Sequence, residues 1–259
     1  MAGETRDGRI ARIAEALGEA SDGALAWVET GLAALAGPCQ RNRLATSWLV
    51  SDRLLVDFGD VLRLHHATSA EPFTKDKFEY AMERLGPPAG LTTTRPARNN
   101  PGYDLTLGKD RVSLKTQADS SIKPNEIHVS KFMELGKGAW TDVPAQLVGL
   151  RAQFFAHLEQ YDRIVTLRCL RDVPGSWHYE LVEIPQALLA RSRTGMLTMA
   201  ENSKQTPKPG YCRVYDGDTL LFELYFDGGS ERKLQIKHIR KDQCEVHAEW
   251  IFARSATLA

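Results

Sequence analysis

Two side chains of opposite charge stand out for their spacing. One is Asp104, after the turn-rich run Asn99-Asn100-Pro101-Gly102, and the other is Lys115 in Ser113-Leu114-Lys115. Alternate residues of a strand face opposite ways. Leu105 and Leu107 on one arm, with Val112 and Leu114 on the other, therefore make one apolar face of a hairpin, and Gly108-Lys109-Asp110 supplies its turn. Asp104, Ser113 and Lys115 fall on the polar face, with Asp104 opposite either Lys115 or Ser113. A carboxylate held beside an ammonium in this way suits a hard divalent cation and phosphate chemistry. A plain surface ion pair, contributing at most about 1 kcal/mol, fits the same two residues. The neighbouring segments decide between these readings.

Upstream, Thr74 can cap a helix over 75–85 that Gly86-Pro87-Pro88 terminates. Glu79 and Glu83 share one side of it. Downstream, Ser130 is expected to cap a short helix ending near Gly136, and Asp142 to begin a longer one with Leu147, Leu150, Phe154 and Leu158 inward. Val165, Leu167 and Cys169 alternate as a strand, Tyr179 and Leu181 as the next after a Pro174-Gly175 turn, and Pro185 opens a helix. This order predicts an α/β (α+β) fold, a mixed β-sheet flanked by helices. Residues 5–36 read as two helices divided at Ser21-Asp22-Gly23, and 44–66 as an apolar segment with helix favoured. A polar loop over 195–210 leads to an all-β tail whose strands are joined as hairpins at Asp227-Gly228-Gly229-Ser230 and Arg240-Lys241-Asp242. The chain thus divides into a helical N-terminal region (1–72), a core (73–194) and a β-rich C-terminal region (195–259), packed as one domain.

An apolar content of 42% and a charged content of 25% over 259 residues describe a soluble globular chain able to bury a sizeable core. Lys plus Arg and Asp plus Glu are both 33, which excludes a polycation but not a local basic cleft. No apolar run reaches the length of a membrane span. Glu4, Arg6, Asp7 and Arg9 argue against a signal peptide, and the chain reads as cytoplasmic. Cys39, Cys169, Cys212 and Cys244 are too scattered for a zinc ribbon, and the histidines show no HExxH pattern.

The Asp104 and Ser113-Leu114-Lys115 pattern, with the elements around it, resembles the PD-(D/E)xK nucleases, which include most Type II restriction endonucleases. The resemblance spans residues 73–184 as an order of elements, while only a few positions carry the motif. Tyr103 precedes Asp104 with Pro101 displaced, and Ser113 stands where the pattern has a second acid. The resemblance implies a restriction-endonuclease-like core and a Mg²⁺-dependent, sequence-specific endonuclease of double-stranded DNA that leaves 5′-phosphates. Asp104, Ser113 and Lys115 then occupy the catalytic positions, with Asp104 on the metal and Lys115 orienting or deprotonating the attacking water. Several families of this kind place a Glu after an aromatic residue in the helix before the hairpin. Phe78-Glu79 is similar, making Glu79 a candidate metal ligand, whereas Glu83 reads as a solvated face. A minority of restriction enzymes with Ser in the acid slot take a Glu from further along. Glu126 is preferred for that role as the nearer, and Glu134 is the other candidate.

A polyanionic substrate would be met by Arg95, Arg98 and Asn99 before the hairpin, Gln117 after it, Lys131 at the expected helix start, Lys204 in the polar loop, and Arg232, Lys237, Arg240 and Lys241 in the tail. Cutting both strands of a palindrome implies a homodimer, or a tetramer, and a companion DNA methyltransferase acting on the same site. Three competing readings are another repair or junction nuclease of the superfamily, a catalytically silent DNA-binding protein, for which Ser113 argues, and a protein that matches by accident.

Overall fold

Capping residues mark where the N-terminal helices begin. The Gly8 and Ala24 N–H groups donate to Thr5 and Ser21, opening α1 (Arg6–Gly18) and α2 (Asp22–Ala36). The computed structural model describes residues 5–96, 102–136 and 140–254. Strand β1 (Cys39–Arg43) follows α2, and Ser51 caps α3 (Asp52–Thr68), the helix favoured for the apolar segment. Next come α4 (Lys75–Leu85), β2 (Thr93–Thr94), β3 (Leu105–Leu107), β4 (Asp110–Gln117) and β5 (Glu126–Glu134). Then follow α5 (Leu147–Leu158), β6 (Arg163–Leu170), β7 (Ser176–Glu183) and α6 (Gln186–Ala190). The chain closes with β8 (Met196–Met199), β9 (Gly210–Asp216), β10 (Thr219–Phe226), β11 (Lys233–Arg240) and β12 (Glu245–Ala253).

These strands form two sheets. The larger has the order β1-β12-β7-β6-β4-β3-β2, and the smaller β5-β11-β10-β9-β8. β4 and β6 run parallel, and the connection between them carries β5 and α5. The expected mixed sheet flanked by helices is present, consistent with a restriction-endonuclease-like core. α3 and α4 cover one face of the larger sheet, where Phe58, Leu62, Phe78 and Met82 pack with Leu105, Val112, Leu114, Leu167 and Trp250. α5 and the smaller sheet share the second core, in which Leu150, Phe154 and Leu158 join Phe132, Ile164, Leu224 and Ile236. Full burial of each such side chain contributes about 1.5–3 kcal/mol, so the hairpin is clamped by large apolar contacts on its Leu-Val face. Gly59 lets α3 approach β12, since a Cβ there would lie 2.7 Å from Trp250 Cδ1.

Besides α5 beginning at Leu147 rather than at Asp142, the structure departs from the sequence reading in three places. Ser130 caps no helix, because residues 126–134 form β5, with Ile127 and Val129 paired to Ile239 and Ile236 across β11. Arg240-Lys241-Asp242 makes no hairpin, because β12 leaves β11 and pairs with β7 and β1 in the larger sheet. Met196–Met199, inside the expected polar loop, pairs with β9 as β8. In each case long-range strand pairing overrides the local pattern.

Candidate active site

The hairpin forms as β3 and β4, with Leu105 opposite Val112 and Leu107 opposite Asp110, so Gly108 and Lys109 make the turn. Gly108 has φ +63°, which favours glycine. Continuing the ladder sets Asp104 against Ser113, one of the two registers the spacing allowed. The Ser113 hydroxyl donates to Asp104 Oδ2 at 3.3 Å, and the Leu114 N–H donates to the same oxygen at 2.6 Å. Ser113 is 1% exposed, and its hydroxyl braces the carboxylate from behind.

The other oxygen, Oδ1, accepts a hydrogen bond from Lys75 Nζ at 2.8 Å. The same ammonium lies 3.1 Å from Glu79 Oε1, one helical turn further along α4. The two carboxylates therefore converge on one cation. Burial lowers the affinity of Lys75 for its proton, but the hydrogen bond and charge of Asp104, with Glu79, outweigh it and raise its pKa. Lys115 shares the face of Ser113, with its ammonium 5.9 Å from the centre of the Phe132 ring. Its pKa falls from 10.5 to about 8, because burial, aided by the charge of Lys75, outweighs the attraction of Asp104 and Glu79.

Lys75, Asp104, Ser113 and Lys115 line a cleft of about 350 Å³ together with Tyr103, Phe132, Glu134 and His157. His157 comes from α5 and stands edge-on to Phe132 and Tyr161, at 5.6 and 5.5 Å between ring centres. Burial, and then the charge of Lys115, lower its pKa. The buried Tyr161 hydroxyl has no hydrogen-bond partner among the described residues, and burial, then the charge of Asp104, pushes its pKa up. Neither Lys75 nor His157 was singled out from the sequence. Lys75 is one turn before Glu79 and His157 is one turn after Phe154, so spacing gives each a helix face but not the hairpin that it meets. A lysine in a first turn and a histidine among aromatics carry little signal unless the hairpin they face is known.

Of the two candidate compensating acids, Glu134 lines this cleft, its carboxylate 2.7 Å from Lys131 Nζ. Glu126 sits at the other end of β5, roughly 25 Å away at about 3.3 Å per residue. It pairs there with Lys123 and His238. The structure does not bring Glu126 to Asp104. Lys131, expected at a helix start, projects instead from β5.

The remaining candidates scatter. Gln117 is buried at the end of β4, and its Oε1 accepts from Arg168 Nε at 3.1 Å and from the His128 N–H at 3.3 Å. It belongs to a buried network in which Arg168 and Glu180, 0% and 1% exposed, pair at 2.7 Å. Lys241 donates to the same Glu180 at 2.5 Å. Arg95 pairs with Glu83 at 2.6 Å. Arg98 and Asn99 lie outside the described residues. Lys204 is exposed between β8 and β9. The Arg232 guanidinium lies 5.4 Å from the Trp140 ring, Lys237 Nζ lies 3.4 Å from the Tyr225 ring, and Arg240 pairs with Asp242. Lys233 is opposite Glu134 and Arg240 opposite Glu126, so β11 runs from the cleft's edge away from it, with Arg232 at the near end.

Two further groups, His178 with Glu180 and Glu249, and Glu183 with Glu245 and His247, bring ligating atoms within 4.8 Å. Their central carboxylates are already held, Glu180 by Arg168 and Lys241, Glu183 by Arg163 and Trp48. Among the described residues no helix is long and apolar enough to cross a membrane.

Comparison with known proteins gives the family. Residues 13–252 match the family model SmaI, described as a Type II site-specific deoxyribonuclease. Over 197 residues the chain is 45% identical to the Type II restriction enzyme SmaI of Serratia marcescens, covering 75% of this chain and 78% of that protein. No solved structure matches. The family match takes in α4, the Asp104 hairpin, α5 and both sheets, and with the long, close similarity to a restriction enzyme it shows that the chain belongs to the SmaI family of Type II site-specific deoxyribonucleases.

Proposed function

We propose that this restriction endonuclease hydrolyses double-stranded DNA in the cleft of Asp104, Glu79 and Lys115, using Mg²⁺ and leaving 5′-phosphates. One observation carries the reading: Asp104 Oδ1 and Glu79 Oε1 converge on a single cation beside Lys115. Two hard carboxylate oxygens aimed at one point fit Mg²⁺. Ser113 brings no charge, so Glu79 supplies the second anion from α4, while the Ser113 hydroxyl and the Leu114 N–H keep Asp104 aimed. When bound, the metal would polarise the scissile phosphate and lower the pKa of water. Lys115 would hold the attacking water or take its proton, then stabilise charge growing on the phosphate oxygens. Attack in line with the 3′ oxygen breaks the P–O3′ bond and leaves a 3′-hydroxyl and a 5′-phosphate.

The hairpin and its flanking order support membership of the PD-(D/E)xK superfamily, with Ser113 in the acid slot. Arg232, Lys237 and Lys131, on or beside the smaller sheet, are proposed phosphate contacts, with Arg95 and Lys204 as further candidates. A homodimer would match the symmetry of a palindromic site. A companion methyltransferase would protect that site on host DNA, in the cytoplasm. The three regions 1–72, 73–194 and 195–259 are proposed to fold as one unit, since β1 and β12 complete the sheet that carries β4.

The test is incubation of the enzyme with plasmid in Mg²⁺ or in EDTA, followed by end-labelling of the products. Linear DNA in Mg²⁺ alone, with ends that accept label only after dephosphorylation, is expected. Cutting in EDTA, or 5′-hydroxyl ends, would overturn the proposal.

A further inference from the structure

We propose that Lys75 is a built-in rival of the catalytic metal: in the DNA-free enzyme its ammonium sits between Asp104 and Glu79, and a divalent cation must displace it to bind. The inference rests on reading those two carboxylates as metal ligands. Lys75 Nζ is 2.8 Å from Asp104 Oδ1 and 3.1 Å from Glu79 Oε1. A Mg²⁺ ion needs the same oxygens at about 2.0–2.1 Å, so it would fall in the volume the ammonium now fills. Two cations cannot share that space, by size or by charge.

The side chain is placed to yield. Lys75 is in the first turn of α4 and its side chain is 42% exposed, so it has open solvent to swing into. No backbone acceptor pins its ammonium among the hydrogen bonds of the described residues, where its partners are the two carboxylates. Lys77, on the same turn, faces elsewhere, with its Nζ 3.4 Å from His65 Nδ1. Lys75 therefore acts as a positioning residue. Without metal it cancels the mutual repulsion of the two acids and keeps them aligned. A DNA phosphate in the cleft would offer the displaced ammonium a new anion, so metal and DNA should each favour the other's binding.

The test is calorimetric titration of Mn²⁺ into the DNA-free enzyme and its Lys75→Met, Lys75→Gln, Lys77→Met and Asp104→Asn variants, each checked for native thermal unfolding. Both Lys75 variants should bind Mn²⁺ roughly tenfold more tightly, the factor that corresponds to about 1.4 kcal/mol. Lys77→Met should change affinity by less than about twofold, because a solvent-facing charge is screened. Unchanged or weaker binding by both Lys75 variants, with Asp104→Asn abolishing it, would overturn the rivalry and leave the metal site standing. An effect of Lys77→Met equal to that of Lys75→Met would also overturn it, since the cause would then be a general field. Binding retained in Asp104→Asn would instead remove the metal-site reading beneath it.

Discussion

Replacing Lys115 with Met should make the enzyme more stable and inactive at once. Met keeps the length of the side chain and its contact with Phe132 while removing a charge that the cleft holds at a cost. The folded-state pKa is about 8, against 10.5 for the ordinary group. At about 1.4 kcal/mol per pH unit, the gap corresponds to about 3 kcal/mol. Because the folded pKa is the lower one, the unfolded chain binds more protons between pH 8 and 10.5, and the wild type gains stability as pH rises through that window. Below pH 8 the full penalty is present. Lys115→Met escapes it, so its advantage should be about 3 kcal/mol at pH 7 and should shrink toward zero near pH 10.5. Urea unfolding of both metal-free proteins at pH 7, 8, 9 and 10 measures this difference, in which other titrating groups cancel. A variant no more stable at pH 7, or a gap that does not narrow with pH, would refute the claim that Lys115 is a desolvated ammonium.

Glu79→Ala should raise the Mg²⁺ concentration needed for half-maximal cleavage by about tenfold or more, whereas Glu126→Ala should leave the metal titration as in wild type, because only Glu79 shares a cation with Asp104. Arg168→Ala should destabilise the fold by about 3–5 kcal/mol in denaturant unfolding, since it takes from the buried Glu180 carboxylate its buried partner, leaving it to Lys241, and removes donors to three backbone carbonyls. Arg232→Ala and Lys237→Ala should each weaken binding to all DNA sequences alike and reduce the slope of log K against log salt by about one; unchanged isotherms for both would make the smaller sheet a structural element.

The hairpin was legible because a period of two and a glycine turn are local signals, and in the structure Leu105 does lie opposite Val112 across the Gly108 turn. The register that settled Asp104 against Ser113 was not, since both closures leave the same faces. Helices α4 and α5 were legible from their apolar stripes rather than from their caps: Thr74 makes no side-chain cap hydrogen bond, and α5 begins at Leu147, not at Asp142. The residues 126–134 misled because Ser130 resembles an N-cap, while the β-pairing of Ile127 and Val129 depends on a strand more than a hundred residues further along. β12 misled for the same reason: its alternation is visible, but not which sheet it joins. In the site, Asp104, Glu79 and Lys115 came from the motif and its flanks. Lys75 and His157 needed the tertiary structure, because their meaning lies in what α4 and α5 bring against β4.

Single-turnover cleavage of cognate DNA in Mg²⁺ by wild type and Asp104→Ala, with DNA affinity measured in parallel in Ca²⁺, tests the central claim most directly. The cleft described above predicts that the folded variant still binds DNA and loses cleavage by a factor of at least about a thousand, as removal of a metal-holding catalytic group should. Cleavage by Asp104→Ala at the wild-type rate would contradict the assignment and place the chemistry elsewhere in the molecule.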